Sequence, residues 1–184
     1  MVPATVLVEA TGGHGRGGRG DAQHRHRLYL RQGSTLGLRR KRGPKIQAIG
    51  PSRGGQTTKV HALTDVIGRP FALILTPGNV SDITVAPALL ARAPHARYVL
   101  ADKGYDADAL RHSLRQGGAV PVIPGRSNRK RRIVYDKTRY KERHRVENAF
   151  CRIKDFRRVA TRYDKLAANF LSGVALAILV AFWL

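Results

Sequence analysis

Two carboxylates, Asp102 and Glu147, have settings in which they could do chemistry. In ARYVLAD, strand alternation places Tyr98, Leu100 and Asp102 on one face and Val99 and Ala101 on the other, so Asp102 ends an otherwise apolar strand. Open α/β sheets bind ligands at that carboxyl end. A turn-forming Asp would look the same, and position alone does not choose between the two. Glu147 lies in YKERHRVENAFCRIK. At about 100° per residue, Tyr140, Arg143, Glu147 and Lys154 fall within roughly a 60° arc of one helix, beside an apolar stripe of Val146, Phe150 and Ile153. An acid grouped with an aromatic ring and two cations suits a phosphate-handling site, where the acid holds a metal and the cations hold phosphates. The competing reading is a solvated charged face.

The charge balance points to the same class of partner. Among 184 residues, 34 Lys and Arg stand against 12 Asp and Glu, a formal net charge of +22. Such a field favours a polyanion, and nucleic acid is the commonest. Ribosomal proteins, nucleases and membrane-surface proteins share this balance, so charge names a partner class and no reaction. Cys151 is the single cysteine, which excludes an intrachain disulfide and fits a reducing, cytoplasmic setting. On the helix that carries Glu147 it follows Phe150, and no base is spaced to activate it, so we read it as packing. No basic residues precede the apolar patch of MVPATVLVEA, which argues against a secretory signal. His24 and His26 in QHRHR lack carboxylate or cysteine partners at ligand spacing and read as basic tail.

The elements that must position these acids can be read from the pattern. Residues 1–44 are rich in Arg, Gly and His and show little sustained periodicity, which predicts a low-complexity, irregular basic segment. Residues 45–184 read as one α/β domain. TTKVHALTD and RPFALILT form a predicted hairpin turning at Gly68. SDITVAPALLARA predicts a short helix capped by Ser81 or Asp82 and broken near Pro87. ARYVLAD is a strand, and DADALRHSLRQGG a helix capped by Asp106 and stopped at Gly117 or Gly118. AVPVIP is a short strand, GRSNRKRR a basic loop, and helical periodicity resumes from Thr138 to Arg157. The uncharged stretch LAANFLSGVALAILVAFWL is long enough to be weighed as a membrane span, but Asn169, Ser172 and Gly173 dilute it and favour a core helix.

These residues also resemble a known family. Tyr140, Arg143, Glu147 and Lys154 match in type and spacing the signature helix of bacterial insertion-sequence transposases of the DDE type. SRGGQTTKVHALTD, TPGNVSD, ADKGYDADALR, VIPGRSNRK and KDFRRVATRYDK resemble the four/five group of those sequences in the same order, from about Pro44 to Leu184. The resemblance implies an RNase H-like mixed sheet flanked by helices, in which three carboxylates bind two magnesium ions. Asp102 matches the second acid and Glu147 the third. Tyr140, Arg143 and Lys154 are then expected on transposon-end DNA, with Arg129 and Lys130 of the basic loop as further DNA contacts. The implied activity is metal-dependent cleavage and transfer of DNA strands during transposition, on transposon ends and target, by a homodimer associated with the nucleoid and not with a membrane.

The first acid of the pattern is missing. Before Asp65 the only acids are Glu9 and Asp21. Asp21 lies at a suitable remove from Gly50 but in GGRGDAQHRH, which is no apolar strand; VLVEATGGH gives Glu9 a strand setting too far upstream. Asp65 belongs to the hairpin turn and Asp82 to a helix cap. A high-GC coding sequence read in a shifted frame would produce the composition of residues 1–44, so we expect an N-terminally truncated or frame-disrupted chain. The alternative expectation is a catalytically inactive DNA-binding remnant. A basic membrane-associated protein anchored by residues 166–184 leaves Asp102 and Glu147 unexplained.

Overall fold

The computed structural model describes the backbone of residues 5–10, 26–36 and 44–45, and residues 46–52, 55–93 and 96–184 with their side chains. The predicted hairpin forms from β4 (Gly55–Thr64) and β5 (Pro70–Pro77), paired antiparallel from Thr58↔Pro77 to Thr64↔Pro70. Asp65 makes the turn: its Oδ1 accepts from the backbone N–H groups of Ile67 (3.1 Å) and Arg69 (2.9 Å), and its Oδ2 from Arg69 Nε (2.7 Å). Gly68 has φ +91°, and a Cβ there would meet the Arg145 carbonyl oxygen at 3.0 Å. Only glycine combines that backbone conformation with so close an approach.

The remaining strands are β1 (Thr5–Ala10), β2 (His26–Leu36), β3 (Gly50–Ser52), β6 (Ala96–Ala101) and β7 (Val120–Val122). They form one mixed sheet in the order β3-β4-β2-β1-β6-β7, with β5 also on β4. β1 runs antiparallel to both β2 and β6, whereas β2 and β6 touch in parallel register at Leu28↔Val99 and β6 and β7 are parallel. Two of these strands come from the segment expected to lack regular structure. Val6 and Val8 in β1 and Leu28 and Leu30 in β2 give each the alternation a strand needs, and each has a partner on both sides. Asp21 and His24 lie outside the described residues.

Helices cover both faces. On one face α2 (Ala86–Leu90) and α3 (Asp108–Gln116) close a core of Leu63, Leu89, Val99, Tyr105, Leu110 and Ile123. On the other, α5 (His144–Lys154), α6 (Arg157–Ala160) and α7 (Ala167–Phe182) pack Val146, Phe150, Ile153, Val159, Phe170 and Val174 on Val60, Ala62 and Leu100. Alternation along β6 thus sends Val99 and Ala101 to the first core and Tyr98 and Leu100 to the second. A short α1 (Pro44–Gln47) precedes β3, and α4 (Lys137–Tyr140) precedes α5.

The buried Arg162 ties α6 and α7 to the sheet by donating to Thr58 Oγ1 and to the carbonyls of Gln47 (2.6 Å) and Asp164 (2.9 Å). The last helix is half in the core: Phe170, Val174, Ala177 and Ile178 are buried, while Leu176, Leu179 and Val180 face outward. No helix among the described residues is long and apolar enough to cross a membrane.

Three local expectations change. Pro87 sits in the first turn of α2 and does not break it, because proline at that position forfeits no intrahelical hydrogen bond. Neither Ser81 nor Asp82 caps with its side chain; the Asp82 carboxylate instead takes Lys59 Nζ at 2.9 Å. Asp106 is not the cap of α3 either, since Ala107 holds that place and Asp106 is drawn into an arginine cluster. The C-terminal stop does fall on Gly117, followed by Gly118 at φ +77°.

Candidate active site

Asp102 stands where the alternation of β6 places it, one residue past the strand, and opens the 3-10 turn Lys103–Tyr105. It is only 6% exposed. Burial raises its carboxyl above the ordinary aspartate range, while the Arg143 guanidinium and the N–H groups of Lys103 and Gly104 pull the other way. The acid borders a cleft of about 520 Å³ together with Asp82, Lys103, Gly104, Arg126, Ser127 and Asn128.

Beneath this cleft lies a buried polar chain. His61, fully enclosed on β4, meets Tyr105 Oη at 3.1 Å through Nδ1 and Thr76 Oγ1 at 2.8 Å through Nε2. Desolvation lowers its pKa to about 4, so the ring is neutral at physiological pH. Burial, with Asp82 and Asp102 nearby, raises the Tyr105 phenol well above its usual value.

Glu147 comes from the other face. The predicted single helix is interrupted: α4 gives way to a 3-10 turn, Lys141–Arg143, before α5 begins. Three of the four signature residues nevertheless meet. Arg143 Nη2 donates to Glu147 Oε1 at 2.8 Å, and the Arg143 guanidinium lies 5.7 Å from the Tyr140 ring centre. Tyr140 packs edge-on against Tyr135 with centroids 5.4 Å apart, and burial pushes its phenol up to about 12, with Asp102 and Glu147 adding in the same direction. Asp102 and Glu147 thus act on common neighbours, Arg143 and Tyr140. Lys154 is exposed at the last turn of α5, about 10 Å along the axis from Glu147.

The basic loop divides. Lys130 is exposed. Arg129 is turned inward, with Nε and Nη2 on Asp106 at 2.6 and 2.9 Å and Nη1 on Asp108 at 2.8 Å. Asp106 is the hub of this arrangement, its carboxylate fully enclosed and also accepting from Arg111 Nε (2.9 Å), Arg111 Nη2 (2.8 Å) and Arg126 N (2.8 Å). Burial alone would raise its pKa; hydrogen bonds from Arg129, Arg126 and Arg111 outweigh that and hold it below the usual carboxylate range.

Sequence reasoning missed this hub, the Lys59 to Asp82 pair and the His61 chain. For Asp106 the signal was ambiguous, because an Asp two residues before a helix reads first as a cap.

The strands beside β6 bring no acid level with Asp102. β2 contains none, and β7 contains none. In β1, Val6 pairs with Ala101 whereas Glu9 pairs with Tyr98, which sets the Glu9 backbone four residues, about 13 Å, short of Asp102. Carboxylate oxygens are the hard donors that magnesium prefers, so the donor chemistry of Asp102 and Glu147 fits such an ion. The number of donors is short: no three His, Cys, Asp or Glu side chains among the described residues are grouped to hold a metal.

Comparison with known proteins identifies the setting. Residues 33–182 match the family model described as a transposase DDE domain. A protein of Brucella ovis, named as a transposase for insertion sequence element IS6501, is 38% identical over 125 residues, covering 66% of this chain and 94% of that protein. One from Burkholderia cepacia, named as a transposase for insertion sequence element IS402, is 34% identical over 151 residues, covering 76% of this chain and 69% of that protein. No solved structure gives a significant match. With Tyr140 and Arg143 near the acid that ends β6 and Arg143 paired to Glu147, the chain belongs to the DDE transposases of bacterial insertion sequences.

Proposed function

We propose that this chain binds DNA and takes part in metal-dependent cleavage and transfer of DNA strands, with Asp102 and Glu147 as its catalytic carboxylates on an RNase H-like scaffold. The observation that carries the reading is the convergence of a buried strand-end acid from one element and a helix acid from another on Arg143 and Tyr140. Asp102 and Glu147 would hold magnesium, which when bound supplies Lewis-acid activation of the attacking oxygen and charge stabilisation of the leaving one. The protein's own part is positional. Burial strips water from Asp102, Arg143 holds Glu147 in an i,i+4 ion pair until a ligand takes it, and Tyr140 lies close enough to feel both acids. Lys130 and Lys154 present exposed cations for DNA phosphates, the surface charge that a net +22 chain offers a polyanion. The acting form in this proposal is a homodimer on transposon ends and target.

A second reading, a DNA-binding remnant without chemistry, is favoured by one observation: neither strand flanking β6 sets an acid level with Asp102. The two readings separate in one assay. A labelled duplex carrying the element's ends is incubated with protein in magnesium or manganese, beside Asp102→Ala and Glu147→Ala. Cleavage that falls by about a thousandfold or more in both variants supports the enzyme reading. Salt-sensitive binding without any cleavage supports the remnant, and binding that does not weaken with salt overturns both.

A further inference from the structure

The composition of the loop after β7 suggests an outward reach to DNA, yet two of its arginines fold back onto the turn that carries Asp102. Arg126 donates through Nη2 to the Gly104 carbonyl at 2.9 Å and through Nε to the Lys103 carbonyl at 3.2 Å. Its backbone N–H goes to Asp106 Oδ2 at 2.8 Å. The Arg129 N–H in turn donates to the Arg126 carbonyl at 3.2 Å, closing the loop into a turn, and the Arg129 side chain returns to Asp106. Arg111 anchors the same carboxylate to the end of β7 by donating to the Ile123 carbonyl at 2.8 Å.

These bonds join the two sides of one cleft. Lys103 and Gly104 of the turn line it with Asp102, and Ser127 and Asn128, the residues between the two clamping arginines, line it from the loop after β7. A guanidinium suits this job because its planar fork can satisfy two adjacent carbonyls at once, whereas an ammonium is a point donor. The carbonyls it takes belong to Lys103 and Gly104, the two residues whose backbone N–H groups favour the charged Asp102 carboxyl, so bracing that turn braces the donors beside the acid.

We infer that Arg126 is a positioning residue for Asp102: oriented by Asp106, it locks the loop after β7 onto the turn that follows the strand-end acid, and it does so in place of contacting DNA. The inference rests on the proposed role of Asp102. It divides the basic loop into a half bonded back to the protein, Arg126 and Arg129, and an outer half from Lys130 to Arg132; Arg126 is itself exposed, and its bonds to Lys103 and Gly104 are what set it apart.

The test uses the full chain with Arg126→Gln and Arg126→Lys, because Asp106 variants would strip the buried Arg111 of its carboxylate and endanger the fold. Hydrogen exchange of the amides of residues 103–106 is the first readout. Both variants are expected to exchange faster there and unchanged in α5 and α7; unaltered exchange at 103–106 overturns the inference. The slope of log binding constant against log salt is the second. Clamping predicts the wild-type slope for Arg126→Gln, whereas loss of a DNA contact lowers it by about 0.9 and overturns the inference. Where the wild-type chain cleaves, Arg126→Lys is expected to lose up to about 100-fold in kcat with KM for DNA unchanged. A lysine variant that cleaves like wild type shows that charge alone suffices, and overturns it. A wild-type chain that does not cleave defeats the proposed activity, while exchange and salt slope still decide the clamp.

Discussion

The two acids sit in walls of very different construction. The strand-end wall around Asp102 is braced by the enclosed Asp106 carboxylate with Arg111 and Arg129, by the Lys59 to Asp82 pair, and by the neutral chain of His61 with Tyr105 and Thr76. On the helix wall, packed on the second core through Val146, Phe150 and Ile153, Glu147 meets Arg143 in an ion pair whose side chains are 19% and 34% exposed. Buried charged networks are costly to disrupt, since removing one member strands the others away from water. A partly exposed i,i+4 pair can be remade or exchanged for a ligand at small cost. One wall is therefore set in advance by folding, and the other is free to adjust when a ligand arrives.

The sharpest way to break this contrast is Asp106→Ala. Arg111 is 2% exposed, and without Asp106 its guanidinium keeps only the Ile123 carbonyl among the bonds described above. Denaturant unfolding should show a loss of about 3–5 kcal/mol. A loss below about 1 kcal/mol would mean that the strand-end wall is no better braced than the helix wall.

Acid offers the next test, aimed at the polar chain below Asp102. His61 has its folded-state pKa lowered to about 4 from 6.5. Between those values the unfolded chain binds a proton that the folded chain refuses, so stability rises with pH across that window and is lost as pH falls from about 6.5 towards 4. The whole effect is of order 3 kcal/mol, since a tenfold change in proton affinity is worth about 1.4 kcal/mol. Urea midpoints measured from pH 7 to pH 4 should show this loss in wild type and a shallower one in His61→Gln. Equal slopes would remove His61 from the account.

How much of this was legible in the sequence follows the same division. Local patterns were read well: the hairpin at Gly68, the strand ending at Asp102, the stop at Gly117 and the grouping of Tyr140, Arg143 and Glu147 all depend on residues a few positions apart. The 3-10 turn that interrupts the signature helix left that grouping intact, because Arg143 and Glu147 remain four apart across the junction. Long-range pairing was not legible. Lys59 and Asp82 are 23 residues apart, Asp106 and Arg129 also 23, and Arg162 and Gln47 115. Local rules assign Asp82 and Asp106 to helix caps because caps are what short-range chemistry offers them. The fold gives them cations that no local pattern announces. The exposed outer face of α7 is a lesser case, since a continuous apolar run does not say which side the core will take.

The smallest expected stability effect bears most directly on chemistry. Glu147→Gln keeps the shape of the side chain and a hydrogen-bond acceptor for Arg143, and it removes only the charge of a pair that is partly in water. Its unfolding free energy should stay within about 1 kcal/mol of wild type. Cleavage of element-end DNA, where wild type cleaves, should nonetheless collapse, because an amide oxygen is a far weaker ligand for a divalent cation than a carboxylate. If Glu147→Gln instead destabilises the chain as much as Asp106→Ala, the helix acid serves packing, and folding fixes the second wall as firmly as the first. If it changes neither stability nor cleavage, any reaction this protein performs runs without Glu147, and the residues gathered by α4 and α5 hold DNA alone.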